Sequence, residues 1–308
     1  MFEQAHTQYP PKPELQAESN VKNNRWLFHL ILFGLLFYFF FDQDIVYVAA
    51  LLLVLLIHEL GHYVMMKIFG YKGVRIYVIP LLGGLTTGEK TQYSKREWLA
   101  VIAAGPLPGI VIGLLVLVIN IPLQLPNLKT LWTTFLAINV LNSLPIYPLD
   151  GGRIIELLWF REDSLYRFIF GIVSVLSLTV LILFLSSPIM LIIPFSMVLN
   201  LVQEWKRYNI RKVLRQEQIS YIGDFTEISD QQYWTLRDVV LMNNAGKFPD
   251  AEAGQYRYSI LEPILIQEVR NLLVFKYVGK LYLIERMLYM LLYLAMLLIP
   301  IAVVYFKT

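Results

Sequence analysis

Three side chains with chemical capacity sit close together in an otherwise apolar run. Leu51 to Phe69 reads LLLVLLIHELGHYVMMKIF, and His58, Glu59 and His62 form the pattern H-E-x-x-H. In a helix, positions i and i+4 share a face. Both imidazoles can therefore reach one metal ion, while Glu59 stands beside a water held by that ion. Ionisable groups in a stretch long enough to cross a bilayer are costly, and as a rule they face a water-filled cavity or one another. The chain has no cysteine. A zinc ion here can draw only on His, Asp and Glu, and disulfides are excluded.

A second stretch supplies one more acid. Residues 139–155 read NVLNSLPIYPLDGGRII, which sets Asp150 at the end of another apolar run, directly before Gly151 and Gly152. Pro145 and Pro148 break the helix there, free backbone groups and make room around the carboxylate. A zinc ion with two histidines needs a third protein ligand and keeps one place open for water. Two readings of Asp150 stay open on its residues alone: that third ligand, or one half of an interfacial ion pair with Arg153. His6 and His29 stand alone and read as structural or incidental.

The elements that must position these groups are membrane helices. Hydrophobic residues make up 57% of the 308-residue chain and charged residues 16%, the balance of a polytopic membrane protein in contact with a lipid bilayer. The net charge of +3 is too small and too dispersed to argue for a nucleic-acid partner. Apolar runs cover about 26–41, 45–69, 97–119, 131–149, 167–187, 189–205 and 281–305, each approaching the ~20 residues a spanning helix needs. The expected class is all-α, with about six to seven transmembrane helices. Lys and Arg collect around 22–25, 67–96, 153–167 and 206–212, so the positive-inside rule puts the N-terminus in the cytoplasm. His58 would then lie ~20 Å from the outer edge of the bilayer and ~10 Å from the cytoplasmic edge.

Between the first motif and the next span, residues 73–88 read GVRIYVIPLLGGLTTG. Alternation over Val74–Ile79, followed by Pro80 and Gly83-Gly84, predicts a short β-hairpin. Gly105, Gly109 and Gly113 recur at every fourth position and predict a helix-packing face. Residues 1–24 are polar, with prolines at 10, 11 and 13, and read as a disordered cytoplasmic tail. Residues 25–205 form the expected transmembrane domain, 206–280 a cytoplasmic polar segment with helical spacing from Leu261 to Val278, and 281–308 a C-terminal transmembrane helix.

Together the two motifs resemble the site-2 protease family of intramembrane zinc metalloproteases. His58-Glu59-Leu60-Gly61-His62 is similar to its HExxH helix, and Asn142 to Gly151 is similar to its N-x-x-P-x-x-P-L-D-G segment. The resemblance implies a three-helix metalloprotease core with Gly105-Pro106 on the span between the motifs, and a membrane-associated hairpin. It also implies one zinc per chain on His58, His62 and Asp150, with Glu59 as general base and Asn142 near the scissile carbonyl. The expected activity is hydrolysis of peptide bonds in or near transmembrane segments of other proteins, in a bacterial cell membrane. The chain departs from many members in having Pro108-Gly109 where they carry Asn shortly after Gly-Pro. Residues 70–96 are too few for an inserted PDZ domain, and 206–280 too few for tandem CBS domains. Two other classes compete with this reading. A metal or ion transporter would need a polar path through several spans, yet 168–185 offers only Ser174, Ser177 and Thr179. A non-catalytic scaffold for membrane proteins would have no need of Glu59.

Overall fold

The computed structural model describes residues 9–14, 31–35, 38–39, 44–79, 83–161, 164–184, 188–244 and 246–307. The chain divides into two compact units, one of residues 1–20, 162–165 and 200–276, the other of 21–161, 166–199 and 277–308.

In the larger unit, α1 (Ile45–Ile68) begins at Asp44, whose Oδ1 accepts from the N–H groups of Val46 and Tyr47 at 2.9 and 3.0 Å. Those bonds satisfy two of the donors that a helix start leaves without partners. The helix closes at Phe69, before Gly70 at φ +75°, a left-handed stop that glycine adopts without strain. Next, β1 (Lys72–Ile79) and β2 (Gly83–Glu89) pair antiparallel, with Arg75 opposite Thr87 and Ile79 opposite Gly83. They form a sheet of two strands. Ser94 then caps α2 (Lys95–Ala103) by accepting from Glu97 N–H at 3.1 Å. Pro106 opens α3 (Pro106–Leu123) and Pro126 opens α4 (Pro126–Asn142), positions where the missing N–H has no helical partner to lose. After a break at 143–149 follow α5 (Asp150–Trp159), α6 (Leu165–Phe184), a 3₁₀ turn at Pro188–Leu191 and α7 (Ile192–Gln216), whose residues from 200 onward belong to the smaller unit. The smaller unit adds α8 (Asp230–Met242) and α9 (Glu262–Leu272), and the chain returns to the membrane unit as α10 (Leu283–Lys307).

Among the described residues, four helical stretches are long and apolar enough to cross a membrane: 45–68, 95–123, 165–184 and 283–307. The protein is a multi-pass membrane protein. Its described helices leave large apolar side chains uncovered, such as Leu176, Val180 and Leu183 on α6, as a lipid-facing surface requires. Two of the other expected spans take different forms. The run at 131–149 splits, because Pro145 and Pro148 stop α4 and the chain restarts at Asp150. The run at 189–205 becomes the first part of α7, whose second part is polar. The run at 26–41 falls largely outside the described residues, as do His6 and His29. Between α3 and α4 the packing is close: a Cβ at Gly113 would come within 2.6 Å of Leu136. Leu99, Ile102, Ile110, Ile154, Leu158 and Tyr293 join α2, α3, α5 and α10 in one apolar cluster.

The smaller unit has its own core around Tyr233, Trp234, Leu236, Leu265 and Val269. Arg237, fully buried, pairs with Glu262 at 3.1 Å and donates to Arg257 O at 3.0 Å. Tyr233 donates its hydroxyl to the same Glu262 in a short hydrogen bond. Burial, reinforced by that carboxylate, pushes the Tyr233 phenol above its ordinary range. Residues 9–14, part of the stretch read as a tail, pack onto this unit.

Candidate metal centre

Helix α1 delivers His58, Glu59 and His62, and the first turn of α5 delivers Asp150. Their donor atoms converge. His58 Nε2 and His62 Nε2 stand 3.2 Å apart. Asp150 Oδ2 lies 3.1 Å from the first and 3.4 Å from the second. Four ligands around zinc at about 2.0–2.1 Å in a tetrahedron stand roughly 3.3 Å from one another. The observed triangle has that size. His58 and Asp150 are buried, and the His62 side chain is 11% exposed.

The protons on the two rings are set from behind. His62 Nδ1 lies 2.8 Å from Val101 O, an atom that can only accept, so Nδ1 carries the hydrogen. His58 Nδ1 lies 3.0 Å from Asn139 Oδ1. Asn139 is oriented by its own amide nitrogen, which donates to Phe135 O at 2.8 Å, and this leaves its oxygen facing the ring. With hydrogens on both δ nitrogens, the ε nitrogens are the atoms free to present lone pairs to an ion. Two lone pairs and a carboxylate oxygen thus face one another, and Asp150 Oδ2 is buried without a hydrogen-bond partner. A cation held among the three atoms would resolve that arrangement. The donor set, two imidazoles and one carboxylate, is that of a catalytic zinc site.

Space for an ion is created by glycine. A Cβ on Gly105 would fall 2.3 Å from His62 Nε2 and 3.0 Å from His58 Nε2, inside the cradle. On Gly109 it would fall 2.1 Å from the Asn139 amide, and on Gly61 1.8 Å from Ala104 O. The repeated glycines do form a packing face: Gly105 and Gly109 lie against the site, and Gly113 against Leu136 and Phe135. Asp150 reaches its place because Gly151 and Gly152 lie against the backbone of 143–147, where a Cβ would meet Ser143 O at 2.1 Å and Ile146 C at 2.3 Å. That turn is tied down by Tyr293, whose hydroxyl donates to Ser143 O at 2.8 Å, and by Tyr147 N–H, which donates to Ser174 Oγ at 3.0 Å.

Glu59 is buried beside the sheet. Its Oε2 accepts from Thr86 Oγ1 of β2 at 2.6 Å, and a Cβ on Gly84 would collide with its side chain at 2.3 Å. The strand at the carboxylate is therefore β2, although the clearer alternation belongs to β1. Asn142 donates to Ile138 O at 3.2 Å. It stands one turn after Asn139, on the same face of α4. Asn139 and Thr86 were not singled out by their residue types. The only hint in the sequence is that Asn139 is a second amide three places before Asn142. Asn139→Ala should weaken zinc binding by about 10–100-fold, the usual effect of removing a group that orients a metal-binding histidine. Competition with a zinc-binding dye measures it, and wild-type affinity would dismiss the amide as a helper of His58.

Comparison with known proteins finds a likeness over part of the chain. Residues 46–133 match the model of Peptidase family M50, a stretch that holds His58, Glu59 and His62 and ends before Asp150. Stage IV sporulation protein FB of Bacillus subtilis (strain 168) is 34% identical over 114 residues, 36% of this chain and 40% of that protein. A zinc metalloprotease of Methanocaldococcus jannaschii is 33% identical over 105 residues, 32% of this chain and 30% of that one. The chain thus spans less than half the length of these curated relatives. A solved structure, the site-2 protease from Methanocaldococcus jannaschii, aligns with a TM-score of 0.42 at 24% identity, covering 57% of this chain and 88% of that one. Over residues 46–133, a stretch that contains the H-E-x-x-H motif, the chain is thus similar to peptidase family M50.

Proposed function

We propose that this protein is an intramembrane zinc endopeptidase that cuts peptide bonds in or near the transmembrane segments of other membrane proteins. The observation that carries the proposal is the buried triangle of His58, His62 and Asp150 with Glu59 next in the chain to His58. Zinc bound on these three residues would polarise the scissile carbonyl and acidify a water molecule. Glu59 takes the proton of the attacking water and delivers it to the leaving amine. Thr86 keeps the carboxylate turned toward β2 meanwhile. Asn142 donates to the carbonyl oxygen as charge develops on it. A transmembrane helix hides its peptide bonds, so substrate must unwind locally, and its freed backbone groups then need partners. The outer edges of a two-stranded sheet offer such partners, and β2 runs past Glu59.

We further assign α4 and the first part of α7 to the membrane. At 17 residues, α4 is about 25 Å long. With the four apolar stretches and the run at 26–41 this makes the six to seven spans read from the sequence, and the positive-inside distribution of Lys and Arg supports a cytoplasmic N-terminus, in what we take to be a bacterial cell membrane. The transporter alternative loses support at α6, where Ser174 is taken by Tyr147 N–H and the Thr179 hydroxyl donates to Val175 O at 2.7 Å. Chelation of the purified protein should abolish cleavage of a membrane-protein substrate, and added zinc should restore it. Cleavage that persists after metal analysis shows the protein to be empty would sink the proposal.

A further inference from the structure

The residues Tyr9-Pro10-Pro11-Lys12-Pro13-Glu14 lie on the smaller unit outside any helix or strand. Their conformation is largely set before they dock. Proline fixes φ near −65°, and a residue that precedes proline is driven to extended backbone. Every residue from Tyr9 to Pro13 falls under one or both constraints. Such a polyproline segment makes no internal hydrogen bonds, and its carbonyls point outward for a partner to use.

The partner is an aromatic groove. Trp234 Nε1 donates to Pro10 O at 2.7 Å, and the Tyr258 hydroxyl donates to Pro11 O at 2.6 Å. The Tyr9 ring lies 4.8 Å from the Tyr256 ring, and Trp234 stands 5.8 Å from both Tyr256 and Tyr258. Lys12 enters a socket of the chain. Its Nζ donates to Phe225 O, Thr226 O and Ile228 O at 2.8, 2.9 and 2.6 Å, and its N–H donates to Asp230 Oδ1 at 2.7 Å. All three ammonium hydrogens are used, which gives one position of the peptide a stringent side-chain requirement. Indole and phenol donors reading consecutive proline carbonyls, with one charged side chain setting register, are the chemistry by which aromatic-lined grooves recognise proline-rich segments.

We propose that the groove of Trp234, Tyr256 and Tyr258, with its lysine socket, is a recognition site for Tyr-Pro-Pro-Lys-Pro peptides, and that the chain's own residues 9–14 are its detachable resident. Covalent attachment makes docking of the segment an intramolecular event. A free peptide of the same type competes for the groove. This proposal is independent of the metal centre and of cleavage.

The test uses the full chain in detergent. In one variant residues 9–14 are replaced by alternating Gly and Ser, and the probe is a fluorescein-labelled peptide of residues 7–16. The opened variant should bind the probe at least ~10-fold more tightly than wild type, whose groove is filled. Lys12→Ala in the probe should weaken binding by at least ~10-fold. With the wild-type protein, millimolar unlabelled peptide should accelerate hydrogen exchange at the Lys12 amide. Equal probe binding by both proteins, no binding by an opened variant that keeps its aromatic circular dichroism, or loss of that signal on opening would each overturn the proposal. So would exchange at Lys12 that ignores the peptide.

Discussion

Glu59→Gln should hold zinc at the wild-type stoichiometry and lose cleavage by at least ~10²–10⁴-fold, the contribution of a positioned acid–base group. The substitution is nearly isosteric, and Glu59 sits where shape matters. A Cβ on Gly84 would already collide with its side chain, and Thr86 Oγ1 is 2.6 Å from Oε2. The amide oxygen of Gln can still accept that hydroxyl hydrogen, so the side chain keeps its place and loses only the ability to take a proton. Zinc content is unaffected because the converging atoms belong to His58, His62 and Asp150. Metal analysis beside a cleavage assay reads both halves. Retained cleavage removes Glu59 from the mechanism, and lost zinc makes it a ligand.

Asp150→Ala should strip the site of metal. Structural zinc sites in small domains are worth about 10–16 kcal/mol over four ligands. One ligand is then worth on the order of 3–4 kcal/mol, or ~10²–10³-fold in affinity, and activity should vanish at ordinary zinc levels. The same variant decides between the two readings of this acid. As a partner in a buried ion pair, its removal would cost the metal-free protein about 3–5 kcal/mol. As a ligand, it stabilises chiefly the zinc-loaded protein. Unfolding of chelator-treated wild type and variant should therefore nearly coincide, while the zinc-loaded proteins separate. Equal zinc affinity in the two proteins would return Asp150 to the role of an ion-pair partner.

The parts of this site that follow from a repeat were legible without a structure. Helical spacing alone puts His58 and His62 on one face, and the Pro145–Pro148 break followed by Leu-Asp-Gly-Gly marks Asp150. Asn139 was not legible, because its partner His58 is 81 residues away, and neither was Thr86, 27 residues from Glu59. Their importance is a property of contact, and nothing in their residue type announces it. The glycines of α3 could be read as a packing face but not as the roof of the site, since the sequence does not say which helix they meet. The end of the run at 131–149 was legible too: its two prolines mark the break between α4, which stops at Asn142, and α5, which starts at Asp150. In the smaller unit the helical spacing from Leu261 anticipates α9. Trp234, Tyr256 and Tyr258 form a groove only after folding has gathered them, so the tail that fills it looked unattached.

The room around the metal centre is defined by what its neighbours lack. Gly61, Gly84, Gly105 and Gly109 carry no charge, donate no side-chain hydrogen bond and would be passed over in any survey of polar residues. Yet each stands where a single methyl group would press on an imidazole, the Glu59 carboxylate, the Asn139 amide or the backbone that shapes the cradle. Chemical identity and vacant volume are thus encoded at separate positions, the first on α1 and α5, the second on β2 and α3 as well as at Gly61. A descendant of this chain could keep all of His58, Glu59, His62 and Asp150 and still be silenced by one alanine, so an intact motif is a poor certificate of activity among its relatives.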